Sequence, residues 1–102
     1  MNAPTITLNG KTYTAPSPKV KMWRQFVKFQ EVRDKMDTQQ ALDEMLRLIA
    51  EAFNHPDVTP QAIEENLGLE DFLPIFNEIS SWIGQIVTMK INQLPNAQKP
   101  TG

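Results

Sequence analysis

Between residues 38 and 53 the apolar side chains Leu42, Met45, Leu46, Ile49 and Phe53 recur at spacings of three and four, while Asp43, Glu44, Arg47 and Glu51 fall between them. Only an α-helix buried along one stripe satisfies that pattern, because a strand would need alternation with a period of two. The stripe commits the chain to helical packing, and its flanks set the limits. Asp37 or Thr38 is placed to cap the start, and the prolines at 56 and 60 cannot continue the pattern.

The same reading gives three more helices. Ser17-Pro18 is a cap and first-turn pair that predicts a helix over about 18–36. Its apolar residues Val20, Met22, Trp23, Phe26, Val27, Phe29 and Met36 cover about half of its circumference, and Lys21, Arg24, Lys28 and Lys35 gather on the other side. Thr59-Pro60 opens a short helix over about 60–67, with Gly68 at a C′ position. A long helix over about 70–94 follows, carrying Phe72, Ile75, Phe76, Ile79, Trp82, Ile83, Ile86 and Met89, with Pro74 in its first turns.

Ahead of the helices, "ITLNGKTYT" alternates β-formers around Asn9-Gly10, the preferred pair for a two-residue hairpin turn. Strands are predicted at 5–8 and 11–14. A lone hairpin is marginal in water, so this one must pack on the helices through Ile6, Leu8 or Tyr13. The expected fold is mainly α, a small bundle of about four helices with an N-terminal β-hairpin. It forms one domain over 1–94, followed by a flexible polar tail over 95–102.

The 102 residues suit one domain with a single core. The chain has no cysteine, which removes disulfides, thiolate zinc sites and cysteine nucleophiles. No apolar run approaches the ~20 residues of a membrane span, and "MNAPTITLNG" lacks the order of a signal peptide. A soluble, cytoplasmic protein is expected.

Catalysis finds little to work with. The single histidine, His55, lies in a loop without a partnered nucleophile or ligand set. The acidic pairs Asp43/Glu44, Glu64/Glu65 and Glu70/Asp71 are sequence neighbours, which do not face one another on a helix. There is no Gly-rich phosphate loop among four glycines. We expect no enzymatic activity and no cofactor or metal. His55-Pro56-Asp57 matches the His-Pro-Asp signature of J-domain co-chaperones, which also occupies an interhelical loop. In that family the preceding helix is strongly basic; here "LDEMLRLIAEAF" is acidic, and Asn54 and Val58 stand where the family has tyrosine and lysine. The charge complementarity would be reversed.

Charge is divided along the chain. Residues 1–36 hold seven Lys/Arg against two Asp/Glu, and residues 37–102 hold three against ten, within a net charge of −2. Such a division lets the halves attract each other or provides a basic surface for a partner. The basic face of the first helix fits an acidic protein segment or, as the alternative function, the phosphates of nucleic acid bound by a small cytoplasmic adaptor or regulator. The net acidic balance and the absence of a polar base-reading set argue against nucleic acid. Trp23, Phe26 and Phe29 are explained as core. Yet the apolar arcs of the first and last helices are wider than a core of this size needs, which predicts surplus apolar surface for oligomerisation or a partner.

Two stretches carry a resemblance. "ITLNGKTYTAPSPKVKMWRQFVKFQE" and "HPDVTPQAIEENLGLEDFLPIFNEISSWI" together resemble, over about residues 5–87, the tail assembly chaperones of long-tailed phages and prophages of Gram-positive bacteria. There a hairpin leads through a Pro/Lys-rich link into an "MWR"-type aromatic helix, and a Val-Thr-capped short helix precedes a long one ending near a tryptophan. The resemblance implies a non-enzymatic protein of the host cytoplasm, absent from the finished virion. It would bind the tape-measure protein and keep it soluble while tail-tube protein polymerises around it. It also implies two lengths of product, the longer made by ribosomal frameshift, with this chain as the short form and Pro95 to Gly102 as the place of continuation. No family motif assigns binding residues. From the residues themselves we expect Trp23, Phe26, Phe29 and Trp82 to supply contact area and Lys21, Arg24 and Lys28 a charged rim.

Overall fold

The hairpin turn is built as its sequence requires. Asn9 and Gly10 both adopt positive φ, 53° and 82°, the pairing that matches the twist of two antiparallel strands. Strands β1 (Thr5–Leu8) and β2 (Lys11–Thr14) pair in the register Ile6 opposite Tyr13 and Leu8 opposite Lys11. A further bond from the Ala15 N–H to the Pro4 carbonyl, 3.0 Å, extends the ladder at its open end. Alternation then puts Ile6 and Leu8 on one face, where both are buried, and the Thr7–Thr12 hydroxyl pair on the other. The buried face packs against the third helix. This computed structural model describes residues 2–92, so the tail expected over 95–102 lies outside the described residues.

Four helices follow: α1 (Val20–Val32), α2 (Thr38–Phe53), α3 (Pro60–Asn66) and α4 (Leu69–Asn92). The architecture is therefore mainly α with an N-terminal two-stranded hairpin, as the sequence predicts. Helix α1 starts later than Ser17-Pro18 suggests. Pro16 and Pro18 favour an extended link, and Lys19, whose side chain has no acceptor to offer, stands at the N-cap. It also ends early, giving way to a 3₁₀ turn over Arg33–Lys35 that closes with the Met36 N–H on the Arg33 carbonyl.

Helix α2 opens on a reciprocal capping box. The Gln40 N–H donates to Asp37 Oδ1 at 2.8 Å and the Asp37 N–H to Gln40 Oε1 at 3.0 Å. It stops at Asn54, in the left-handed conformation with φ 47°. Thr59 caps α3, its Oγ1 accepting from the Ala62 N–H at 3.0 Å, with Pro60 in the first turn. The C′ role expected of Gly68 is not found. Leu67 ends α3 in an extended conformation, and Gly10 is the only glycine with positive φ among the described residues. Gly68 instead leads into α4, its carbonyl accepting from the Asp71 N–H. Pro74 is the sixth residue of α4, one turn deeper than a proline is comfortably held, and it leaves the Glu70 carbonyl without its usual helical donor.

The core runs through all of these elements. Ile49 of the α2 stripe is fully buried, and so is Leu48, which lies outside the stripe read from the sequence, as are Ile6, Ile63, Ile79 and Ile83 from the hairpin, α3 and α4. The buried side chains among the described residues are apolar, the pattern of a core held by burial and close packing.

Candidate partner-binding surface

Helices α1 and α4 meet through aromatic rings. Phe76 lies 5.4 Å from Phe26 in a stacked arrangement and 5.5 Å from Phe29 in an edge-on one. Both geometries suit the ring quadrupole. At the margin of this seam the Gln30 amide donates to the Ser80 hydroxyl at 3.1 Å.

The seam divides the aromatic residues singled out in the sequence. Phe26, Phe29 and Trp82 are 3%, 2% and 7% exposed and fill the core. Trp23 is 37% exposed, and Lys21, Arg24 and Lys28 are exposed on the outer side of α1. Only Trp23 among the four aromatics therefore presents contact area in this conformation. Phe26 and Phe29 meet Phe76 at the α1–α4 seam, whereas Trp82 is buried in the core without a ring contact there.

Beside Trp23 the two helices leave an open groove of about 380 Å³, walled by Val20 and Trp23 on α1 and by Ile83, Ile86, Val87 and Ile91 on α4. Pro18 and Lys19 close one end and Lys90 borders the other wall. Val20 is 69% exposed, and Ile91 and neighbouring Met89 are about half exposed. Sequence reasoning found the breadth of these apolar arcs but not the groove between them. Lys19 and Lys90 were missed, because a lysine's distance from an apolar surface on another helix cannot be read from spacing. No lysine or arginine around the groove is in ion-pair range of a carboxylate among the described residues; the ion pairs among those residues involve Arg47 on α2 and His55 in the α2–α3 loop, away from the groove.

Two other places concentrate polar chemistry. On α2, Arg47 bridges Glu44 and Glu51. The hydrogen bonds that Arg47 donates to Glu44 raise the guanidinium above its ordinary pKa while burial opposes the rise. In the α2–α3 loop the Tyr13 ring tilts over His55 at 4.7 Å, and His55 Nδ1 accepts from the Asp57 N–H at 3.0 Å. The Tyr13 hydroxyl reaches Asp57 at 3.4 Å. The His-Pro-Asp tripeptide thus shapes a turn and fastens the hairpin to it. Among the described residues no group of three or more His, Asp or Glu is placed to hold a metal ion, and no helix is long and apolar enough to cross a membrane.

A profile of the phage tail chaperone proteins matches residues 2–98 and so spans the hairpin, all four helices and the groove. The chain belongs to the phage tail chaperone family. No curated protein and no solved structure matches it. Membership assigns a role in tail assembly, and a tail chaperone works by contact with other tail proteins. The groove between α1 and α4 places exposed apolar area beside Lys19 and Lys90, neither of them ion-paired among the described residues.

Proposed function

We propose that this tail chaperone binds the tape-measure protein in the host cytoplasm, keeps it soluble, and helps recruit tail-tube protein during tail morphogenesis without remaining in the mature virion. The observation that carries this reading is the exposed apolar groove at Trp23, lined by Lys19 and Lys90, with Lys21, Arg24 and Lys28 exposed on α1 outside it. A holdase works by covering apolar segments reversibly, which lowers the concentration free to aggregate. A wide apolar surface with a charged border does this without burying unpaired charge. Phe26 and Phe29 support the surface from below through Phe76 of α4, and Trp82 belongs to the core. In this proposal the chain is the shorter of two products that share an N-terminus, the longer arising by ribosomal frameshift.

Co-expression tests the proposal. The tape-measure protein encoded with this chain should move from the pellet to the soluble fraction when the chain is present. Trp23→Ala, or Lys21, Arg24 and Lys28 changed together to Glu, should return it to the pellet while the chaperone itself stays folded and soluble. A tape-measure protein that stays insoluble with the unaltered chain would refute the reading. Solubility untouched by either set of substitutions would place the contact elsewhere on the molecule. Mass spectrometry of the complex would show whether a longer product accompanies the short one.

A further inference from the structure

We infer that the α1–α4 groove receives an amphipathic α-helix whose apolar stripe is bordered by acidic side chains. This rests on the reading of that surface as the partner site and adds the class of segment it takes.

The shape of the walls argues for a helix. Ile83, Ile86, Val87 and Ile91 repeat at three, four and eight residues, so the α4 wall is a straight apolar ridge about 12 Å long at 1.5 Å per residue. Val20 and Trp23 form the facing wall one turn apart. Two ridges of this kind make the socket into which a third helix packs, its axis about 8–10 Å from each neighbour. The lining chemistry excludes the alternative of an extended peptide. Apart from the lysine ammonium groups and the Trp23 indole N–H, the lining side chains are hydrocarbon, and none of the lining side chains accepts a hydrogen bond. A strand covered here would bury unpaired N–H and C=O groups, whereas a helix satisfies its own.

The charge of the surroundings sets the borders of the incoming stripe. Lys19 and Lys90 line the groove, Lys21, Arg24 and Lys28 lie beyond it on α1, and no carboxylate is among the lining residues. The carboxylates of α4, Glu70, Asp71 and Glu78, all lie in its first half, while Ile83 to Ile91 carry Lys90 as their only charge. A helix bordered by Glu or Asp would meet these cations, and one bordered by Lys or Arg would be repelled. The chain itself carries a comparable element, because Leu69 and Leu73 are 83% and 52% exposed beside Glu70 and Asp71. A second copy is therefore the competing occupant that the test must separate.

The probe is a capped, fluorescently labelled synthetic peptide of about eighteen residues, five helical turns. It carries leucine at heptad a and d positions and glutamate beside them. A second peptide replaces glutamate with lysine, and a third places proline at its centre. Anisotropy with the full chain should show saturable binding of the glutamate peptide, at least about tenfold weaker binding of the lysine peptide, and none of the proline peptide. Val20→Glu, at a position too exposed to unsettle the fold, should weaken the glutamate peptide about tenfold or more. Lys19→Glu with Lys90→Glu should reverse the preference between the two charged peptides. Equal affinity for both charges, binding of the proline peptide, or indifference to Val20→Glu would overturn the inference. So would self-association that occupies the groove, seen as an oligomer in sedimentation that Val20→Glu and Leu69→Asp each dissociate. Failure of every peptide, in a chain that still solubilises the tape-measure protein, would reject the helix and leave the function standing. Failure in both assays would reject both.

Discussion

Truncating Phe76 to alanine should loosen α1 from α4 and cost more than any surface change in the molecule. Phe76 is 3% exposed and touches the rings of Phe26 and Phe29. Removing a buried benzyl group costs about 3–5 kcal/mol when the site cannot collapse. Each ring pair contributes about 1 kcal/mol beyond area burial. A single domain of this length has about 5–15 kcal/mol in total, so the variant loses a large share of it. At about 4–8 °C per kcal/mol, the melting temperature should fall by about 15–30 °C. Phe76→Leu keeps most of the volume and loses the ring geometry, so it should cost about 1–2 kcal/mol. Urea unfolding followed by far-ultraviolet circular dichroism measures both, provided the slope against denaturant is unchanged. Pairing Phe76→Leu with Phe26→Leu closes a double-mutant cycle whose coupling should be about 0.5–1.5 kcal/mol. A cost below about 1 kcal/mol for Phe76→Ala, or strict additivity in the cycle, would refute the claim that these rings hold the two helices in place. Trp23→Ala makes the contrast, since it should lower stability by under about 1 kcal/mol while removing partner binding.

Two further expectations follow from local geometry. Gly10→Ala should cost about 1–2 kcal/mol in the same unfolding assay, and purely for conformational reasons, because φ is 82° there and an added Cβ would meet nothing within 4 Å. Arg47→Ala should cost under about 1 kcal/mol and progressively less as salt is added, because the Glu44–Arg47–Glu51 bridge sits on the accessible face of α2 where solvent and ions screen it.

The elements that could be read from sequence are those whose cause is local. The α2 stripe needs only its own 3.6-residue period, and Asn9-Gly10 needs only its own backbone freedom. Thr59 Oγ1 and Asp37 Oδ1 each accept from the backbone N–H three residues further on. What failed to show depended on neighbours. Ser17-Pro18 has the composition of a helix start, yet the chain stays extended through Pro18 and turns at Lys19. Gly68 has the composition of a helix stop, yet Asn54 is the residue that takes the left-handed conformation at a helix end. The binding surface divides in the same way. The lysines of α1 were legible as a stripe, but Phe26 and Trp23 look alike in sequence, and only the position of Phe76 decides which of them is covered. Ile86 and Val87 joined the surface because they face Val20 and Trp23 of α1 across the groove, a matter of how the two helices pack that no periodicity contains.

The placement of Lys90 and Ile91 in the groove wall has a consequence for anything joined to this protein. Both lie in the last turn of α4, so a segment joined directly after Asn92 would start beside the groove. A ligand joined after Asn92 through a short flexible linker, in place of residues 93–102, would be held near the groove at millimolar effective concentration, whatever its concentration in solution. A fused helix too weak to be detected as a free peptide would then occupy the groove almost completely, and would compete with any partner arriving from outside. The same tether offers a direct route to a crystal, with the recognised segment carried on the chain that recognises it.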